Sequence, residues 1–190
     1  MIVSGITTLG SDAIINSVAI GKGANSVAGN TVVGESALDA VTTGGNNTAV
    51  GKNALTSLTS GTNNTAVGSV ALLANTTGQH NTAVGMGALN ANTTAGNNTS
   101  VGRSSLANNT TGDQNVALGS QALINNTTAD NNTGIGYYAL HQNTTGTQNV
   151  AVGANALLNN TTAYDNVAIG FEAGKSITDG LRNTFIGAEC

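Results

Sequence analysis

The sequence predicts an all-β fold, a parallel β-solenoid (β-roll) built from 17-residue coils, and three observations carry that prediction. The motif Asn-Thr-Ala-Val-Gly and its variants recur at one interval: the closing glycine falls at Gly34, Gly51, Gly68, Gly85, Gly102, Gly119, Gly136, Gly153, Gly170 and Gly187, with every gap 17. A fixed period in this range is the mark of stacked repeats, each stable only when its neighbours cover it. Within the motif, Thr or Val stands three residues before the glycine and a branched aliphatic stands one before it, as in Thr48 and Val50 or Val167 and Ile169. Residues two apart share a face of a strand, so this is a short β-strand with one apolar face. Finally, 17 is no whole number of 3.6-residue turns and Asn, Thr and Gly are poor helix formers, so a helical repeat is excluded.

Taken in order, residues 1–15 are irregular, with turn signals at Gly5, Gly10 and Ser11-Asp12, and are expected to form a lead-in segment or cap. The solenoid is expected to occupy 16–190, with regular repeats from about Asn30. Its first repeat-like unit is Ser17-Val-Ala-Ile-Gly21, a short coil because Gly34 follows only 13 residues later. In each regular unit the glycine permits a bend or a close backbone approach. Ala-Leu follows (Ala54-Leu55, Ala71-Leu72, Ala88-Leu89) and is read as a second inward anchor beside the aliphatic strand face. Asn-Thr-Thr-Gly or Asn-Thr-Thr-Ala then closes the coil as a turn. Stacked at about 4.8 Å per coil, ten coils make a rod of about 50 Å, along which recurrent asparagines are expected to form ladders. The residues two before the glycine (Val32, Ala49, Ala66, Ala83, Ser100, Ala117, Gly134, Ala151, Ala168, Phe185) include no charge. That face is expected to pack against another sheet or another chain, as in a symmetric homo-oligomer.

Composition narrows the function classes. Aromatics are 3% and charged residues 7% of the 190, too few for a conventional globular core, and proline is absent. The apolar residues keep strict phase, which separates the chain from disordered Asn/Thr-rich sequence. Five basic residues, scattered singly, against nine acidic ones give a net charge of −4 and no basic stripe for nucleic acid. No apolar run approaches a membrane span. No basic n-region precedes an apolar stretch, and the lone Cys190 builds no disulfide framework.

Ser17-Val-Ala-Ile-Gly21 and the repeated Asn-Thr-Ala-Val-Gly with its following Ala resemble the head repeats of trimeric autotransporter adhesins. They resemble still more closely the Asn-Thr-rich repeats of phage tail fibres. The resemblance covers nearly the whole chain. It implies a homotrimeric, left-handed parallel β-roll that holds or forms a receptor-binding fibre. Adhesin heads favour a shorter repeat, near the length of the first unit here; no coiled-coil stalk or membrane anchor follows Gly187 in the sequence, so a viral fibre, or an excerpt from one, is expected over an autotransporter.

Candidate chemistry is sparse. Gly134-Ile-Gly136-Tyr-Tyr-Ala139 matches a dinucleotide fingerprint but lacks a βαβ unit, and Gly170-Phe-Glu-Ala-Gly174-Lys-Ser176 is one residue short of a phosphate loop. His80 and His141 occupy different phases of the coil. Asp113 and Asp130 share a phase in adjacent coils and are the weak candidates for a hard cation. Tyr137, Tyr138 and His141 cluster where other coils carry small polar residues, and are the candidate surface contact for a sugar or protein. No catalytic pair is visible, and neither an enzyme nor a cofactor is expected. The leading expectation is a structural fibre segment at a virion or extracellular surface, joined to other fibre segments and touching a host glycan or protein. The alternative is an ice- or crystal-surface-binding solenoid built on stacked Thr76-Thr77, Thr93-Thr94, Thr110-Thr111, Thr127-Thr128, Thr144-Thr145 and Thr161-Thr162.

Overall fold

The computed structural model describes residues 12–16 and 18–190. Among them twelve short strands lie in one sheet in chain order. They are β1 (Ala13–Ile15), β2 (Val18–Gly21), β3 (Thr31–Gly34), β4 (Thr48–Val50), β5 (Thr65–Val67), β6 (Thr82–Val84), β7 (Thr99–Val101), β8 (Val116–Leu118), β9 (Thr133–Ile135), β10 (Val150–Val152), β11 (Val167–Ile169) and β12 (Thr184–Ile186). From β3 onward every pairing is parallel and advances by one repeat: Thr48 lies opposite Thr65, and Val167 opposite Thr184. Each repeat is therefore one coil of a parallel β-solenoid.

Backbone hydrogen bonds join the coils outside the strands as well. Gly51 N–H donates to the Val33 carbonyl of the coil before (2.8 Å), and Leu55 N–H to the Ala71 carbonyl of the coil after (3.1 Å). The chain must bend sharply to do this in 17 residues, and it bends at recurrent left-handed residues. In one coil these are Asn53 (φ 58), Leu55 (φ 51) and Asn63 (φ 59). For leucine that conformation costs roughly 1–2 kcal/mol, which is offset by complete burial worth about 2 kcal/mol. The motif glycine has a stricter reason. A Cβ on Gly51 would stand 2.6 Å from the Gly68 carbonyl oxygen, and φ there is +128°, so any side chain would be both strained and clashing.

The interior corrects the strand-face expectation. The alanines two before the glycine point inward: Ala49, Ala66, Ala83, Ala117, Ala151 and Ala168 are wholly buried within their own coil. The larger Thr, Val, Leu and Ile residues on either side of them point outward. The coil is too thin for two layers of large aliphatics. Opposite the strand lies the buried leucine, and a Cβ built on Gly134 already comes within 3.3 Å of the Leu123 side chain, so a methyl fills the remaining space. The Ala-Leu pairs are inward anchors as expected, with Ala54, Leu55, Ala71 and Leu72 fully buried. Where the filling changes, it changes in pairs. Gly174 replaces the usual leucine, and Phe185 of the next coil replaces the usual alanine and fills the vacated space, 2.9 Å from where a Gly174 Cβ would lie. Ser100 and Ser105 replace two alanines of one coil together and hydrogen-bond each other; Ser100 Oγ also donates to the Ser105 carbonyl (2.8 Å).

Two asparagine files run along the stack. Each motif asparagine from Asn30 to Asn166 accepts, through Oδ1, the backbone N–H of the motif asparagine one coil on, as Asn98 does from Asn115 (2.9 Å). Its own Nδ2 crosses the coil to a backbone carbonyl, Asn98 to Gly112 O at 2.9 Å. The asparagine of Asn-Thr-Thr bonds local backbone where the coil closes, as expected of a turn residue, and also forms a second buried file. Asn109 Nδ2 donates to Asn92 Oδ1 (3.2 Å) and to that same Gly112 carbonyl (2.9 Å).

The start of the chain departs from the repeat. β2 pairs antiparallel with both β1 and β3, so the unit ending at Gly21 is the middle of a meander, not the short coil expected. The Asp12 carboxylate secures it by accepting the N–H groups of Lys22 and Gly23, each at 2.7 Å. Most of the predicted lead-in, residues 1–11, lies outside the described residues.

Candidate functional site

With alanine turned inward, the outer face of the sheet carries two side-chain files. The file three before each glycine is Thr or Val, from Thr31 to Thr184, and the file one before it is wholly aliphatic, from Val33 through Val50, Val84, Leu118, Ile135 and Val152 to Ile186. The second file is substantially open to solvent: Val67 is 36%, Ile169 43% and Ile186 72% exposed. No residue of either file is charged.

Just beyond the strand lies the aromatic cluster. Tyr137 is half exposed, and its ring stacks at a tilt on Tyr138, centroids 3.9 Å apart. Tyr138 meets His141 edge to face at 4.5 Å. The structure thus brings together the three residues that the sequence singled out. A hydrogen bond with the Tyr138 side chain holds the Tyr137 phenol above its ordinary range, a little burial adds to this, and the Arg103 charge opposes it. Burial pushes the His141 imidazole below its ordinary value, and its Nδ1 has no hydrogen-bond partner. The residues one coil away in the same file, Ile124 and Leu158, are apolar and offer it none.

Sequence reasoning missed Phe171. It stands two coils after Tyr137 in the same phase and is also half exposed, with Ala154 between them; Arg103 stands two coils before, with Ser120 between. All five aromatic residues of the chain lie between Tyr137 and Phe185. That clustering was the available signal.

The remaining candidates fall at other places. Asp113 and Asp130 stack one coil apart, as their shared phase implies. Asp113 Oδ1 accepts Gly96 N–H (2.6 Å) and Asp130 Oδ1 accepts Asp113 N–H (2.7 Å), so each carboxylate caps a backbone donor of the previous coil. Among the described residues no group of three or more His, Cys, Asp or Glu side chains is arranged to hold a metal ion. His80 Nε2 lies 3.3 Å from Asn63 Nδ2, remote in sequence and phase from His141. Gly134 and Gly136 of the dinucleotide-like match are an inner strand position and the ordinary bend glycine. The paired threonines divide: the first of each pair donates its hydroxyl to the next coil's backbone, Thr76 Oγ1 to Thr93 O at 3.2 Å, while Thr77 and its equivalents form an exposed file. Among the described residues no helix is long and apolar enough to cross a membrane.

The geometry defines the class, a parallel β-solenoid repeat protein. Comparison of the chain with protein-family models, with curated protein sequences and with solved structures finds no match.

Proposed function

We propose that this chain is a shaft segment of a homotrimeric fibre on a virion or extracellular appendage, a rigid spacer that also contributes to attachment at a host surface. The observation that carries the reading is the outward aliphatic file. It repeats at the coil spacing along the length of the sheet, with no charge to keep it in water. Exposed apolar surface of that extent marks an interface, and a partner with the same spacing, another copy in parallel register, matches it at every coil. The resemblance to fibre repeats supplies the number three and the left-handed coil. The scarcity of charge suits a weakly interacting shaft.

The test is the native mass of the particle by light scattering, with circular dichroism to establish β structure. A β-rich trimer is the expected result, and Val67→Glu with Val101→Glu should convert it to monomers. A monodisperse monomer from the unaltered chain rejects the reading. The exposed file of Thr77, Thr94, Thr111, Thr128, Thr145 and Thr162 supports a second reading, an ice-binding surface; the hydroxyl bonds of Thr76 and its equivalents to backbone leave that surface one free file rather than two. Thermal hysteresis in the monomer or trimer would favour it, and its absence removes it.

A further inference from the structure

The structure points beyond a plain spacer. We infer that the row Arg103, Tyr137 and Phe171 is a binding platform for an acidic oligosaccharide lying along the rod axis. This inference rests on the host-attachment part of the reading above and gives it a site and a ligand class.

The row follows from the stack. Residues in one phase of successive coils stand about 4.8 Å apart, so the half-exposed rings of Tyr137 and Phe171 are about 10 Å apart along the axis, with the methyl of Ala154 between them. Two flat rings at that separation, over a low floor, suit two pyranose faces of one chain, since C–H-rich sugar faces pack on aromatic rings. A protein partner would be expected to cover about 800 Å² per side; the strip between the two rings is only Ala154 with Asn155 beside it, and the aliphatic file of Ile135, Val152 and Ile169 two residues before the row belongs to the proposed interface between chains. A narrow, hydroxyl-rich ligand fits that setting better.

The charge places the acidic group. Among the described residues Arg103 has no carboxylate within ion-pair distance, unlike Lys52 with Glu35 (3.1 Å), Lys175 with Glu172 (2.9 Å) and Arg182 with Asp165 (3.6 Å). It stands in the row as an uncommitted guanidinium, the group best shaped to hold a carboxylate through two hydrogen bonds. Of the two carboxylates nearest Phe171, Glu172 is occupied by Lys175 Nζ (2.9 Å) and by Asn155 Nδ2 (3.1 Å), and Glu189 stands one coil on, its backbone N–H donating to the Phe171 carbonyl (2.8 Å). Asp113, Asp130 and Asp165 precede the strands, while the row follows them.

The experiment is binding of the full chain, in its native assembly, to immobilised oligogalacturonate and hyaluronan octamers, with cellohexaose as the neutral probe. Retention of the acidic probes over cellohexaose is expected, weakening with salt. Tyr137→Ala and Phe171→Ala should each lower affinity about tenfold with particle mass unchanged, and Arg103→Gln should remove both the acidic preference and the salt dependence. Tyr164→Ala, an exposed aromatic outside the row, should leave binding unchanged. Failure to retain either acidic probe overturns the inference, as does binding that survives both ring substitutions. So does a change of particle mass in Tyr137→Ala or Phe171→Ala, which would place the rings between chains. A trimer that binds neither probe leaves the shaft reading standing without the platform; a monomer that binds both does the reverse.

Discussion

The two asparagine files look alike in sequence and differ in what they hold. The motif file is unbroken from Asn30 to Asn183, whereas the second is asparagine only from Asn75 to Asn160, with Val41 and Leu58 before it and Ile177 after it. The reason lies in their partners. A motif asparagine supplies the acceptor for the next coil's backbone N–H, a buried donor with no backbone partner. Both files donate to one shared carbonyl per coil, such as Ala129 O, which receives Asn115 Nδ2 and Asn126 Nδ2. Where the second file turns apolar, that carbonyl keeps its first donor: Gly61 O still receives Asn47 Nδ2 at 3.0 Å beside buried Leu58. An orphaned N–H has no remedy, while a carbonyl with one donor is satisfied.

This difference is open to direct attack. Asn115→Leu leaves Asn132 N–H without an acceptor in the interior, and should lower the stability of the full chain by about 3 kcal/mol in denaturant unfolding. Asn109→Leu removes side-chain ladder bonds and one of the two donors to the Gly112 carbonyl, which keeps Asn98 Nδ2, and leaves no backbone N–H unpaired; it should cost about 1–2 kcal/mol, and equal losses for the two would erase the distinction. At the ladder's end Asn160 Oδ1 faces Ile177 and has no partner. Asn160→Leu should therefore fall within about 0.5 kcal/mol of the parent, because it exchanges one unpaired acceptor for another and extends the apolar contact.

His141 Nδ1 is the other buried polar atom without a partner among the described residues, and its effect is the smallest and depends on pH. Burial depresses the folded value below the ordinary one of about 6.5. The unfolded chain then takes up the proton first, so its contribution is complete above that pH and is lost as pH falls from there through the folded value. His141→Gln should flatten that acid limb in melting experiments between neutral and mildly acidic pH, and an unchanged limb would show that the imidazole is not its source.

Much of this was legible in the residues. The motif glycines mark the coils because, from Gly34 to Gly170, a carbonyl of the next coil occupies the space of a Cβ, and Ala-Leu marks the inner wall because only one layer of large side chains fits. The candidate platform was half legible. Tyr137, Tyr138 and His141 stand out as neighbours in sequence, but Phe171 belongs with them only once the stack places residues 34 apart on one line. The meander at the start was hidden because β2 carries the same Val-Ala-Ile-Gly as a true coil; what differs is its antiparallel pairing, decided by contacts with β1 and β3.

The sequence by itself determined the period, the parallel stack and the asparagine ladders, because a strict repeat can satisfy identical backbone groups only by placing identical residues on top of one another. The tertiary structure alone decided which strand face is inside. Alternation has a period of two and is symmetric between the faces, and both faces here are uncharged. The width of the coil, set by the leucine opposite the strand, broke that symmetry: alanine fits within, and the valines and isoleucines are left outside.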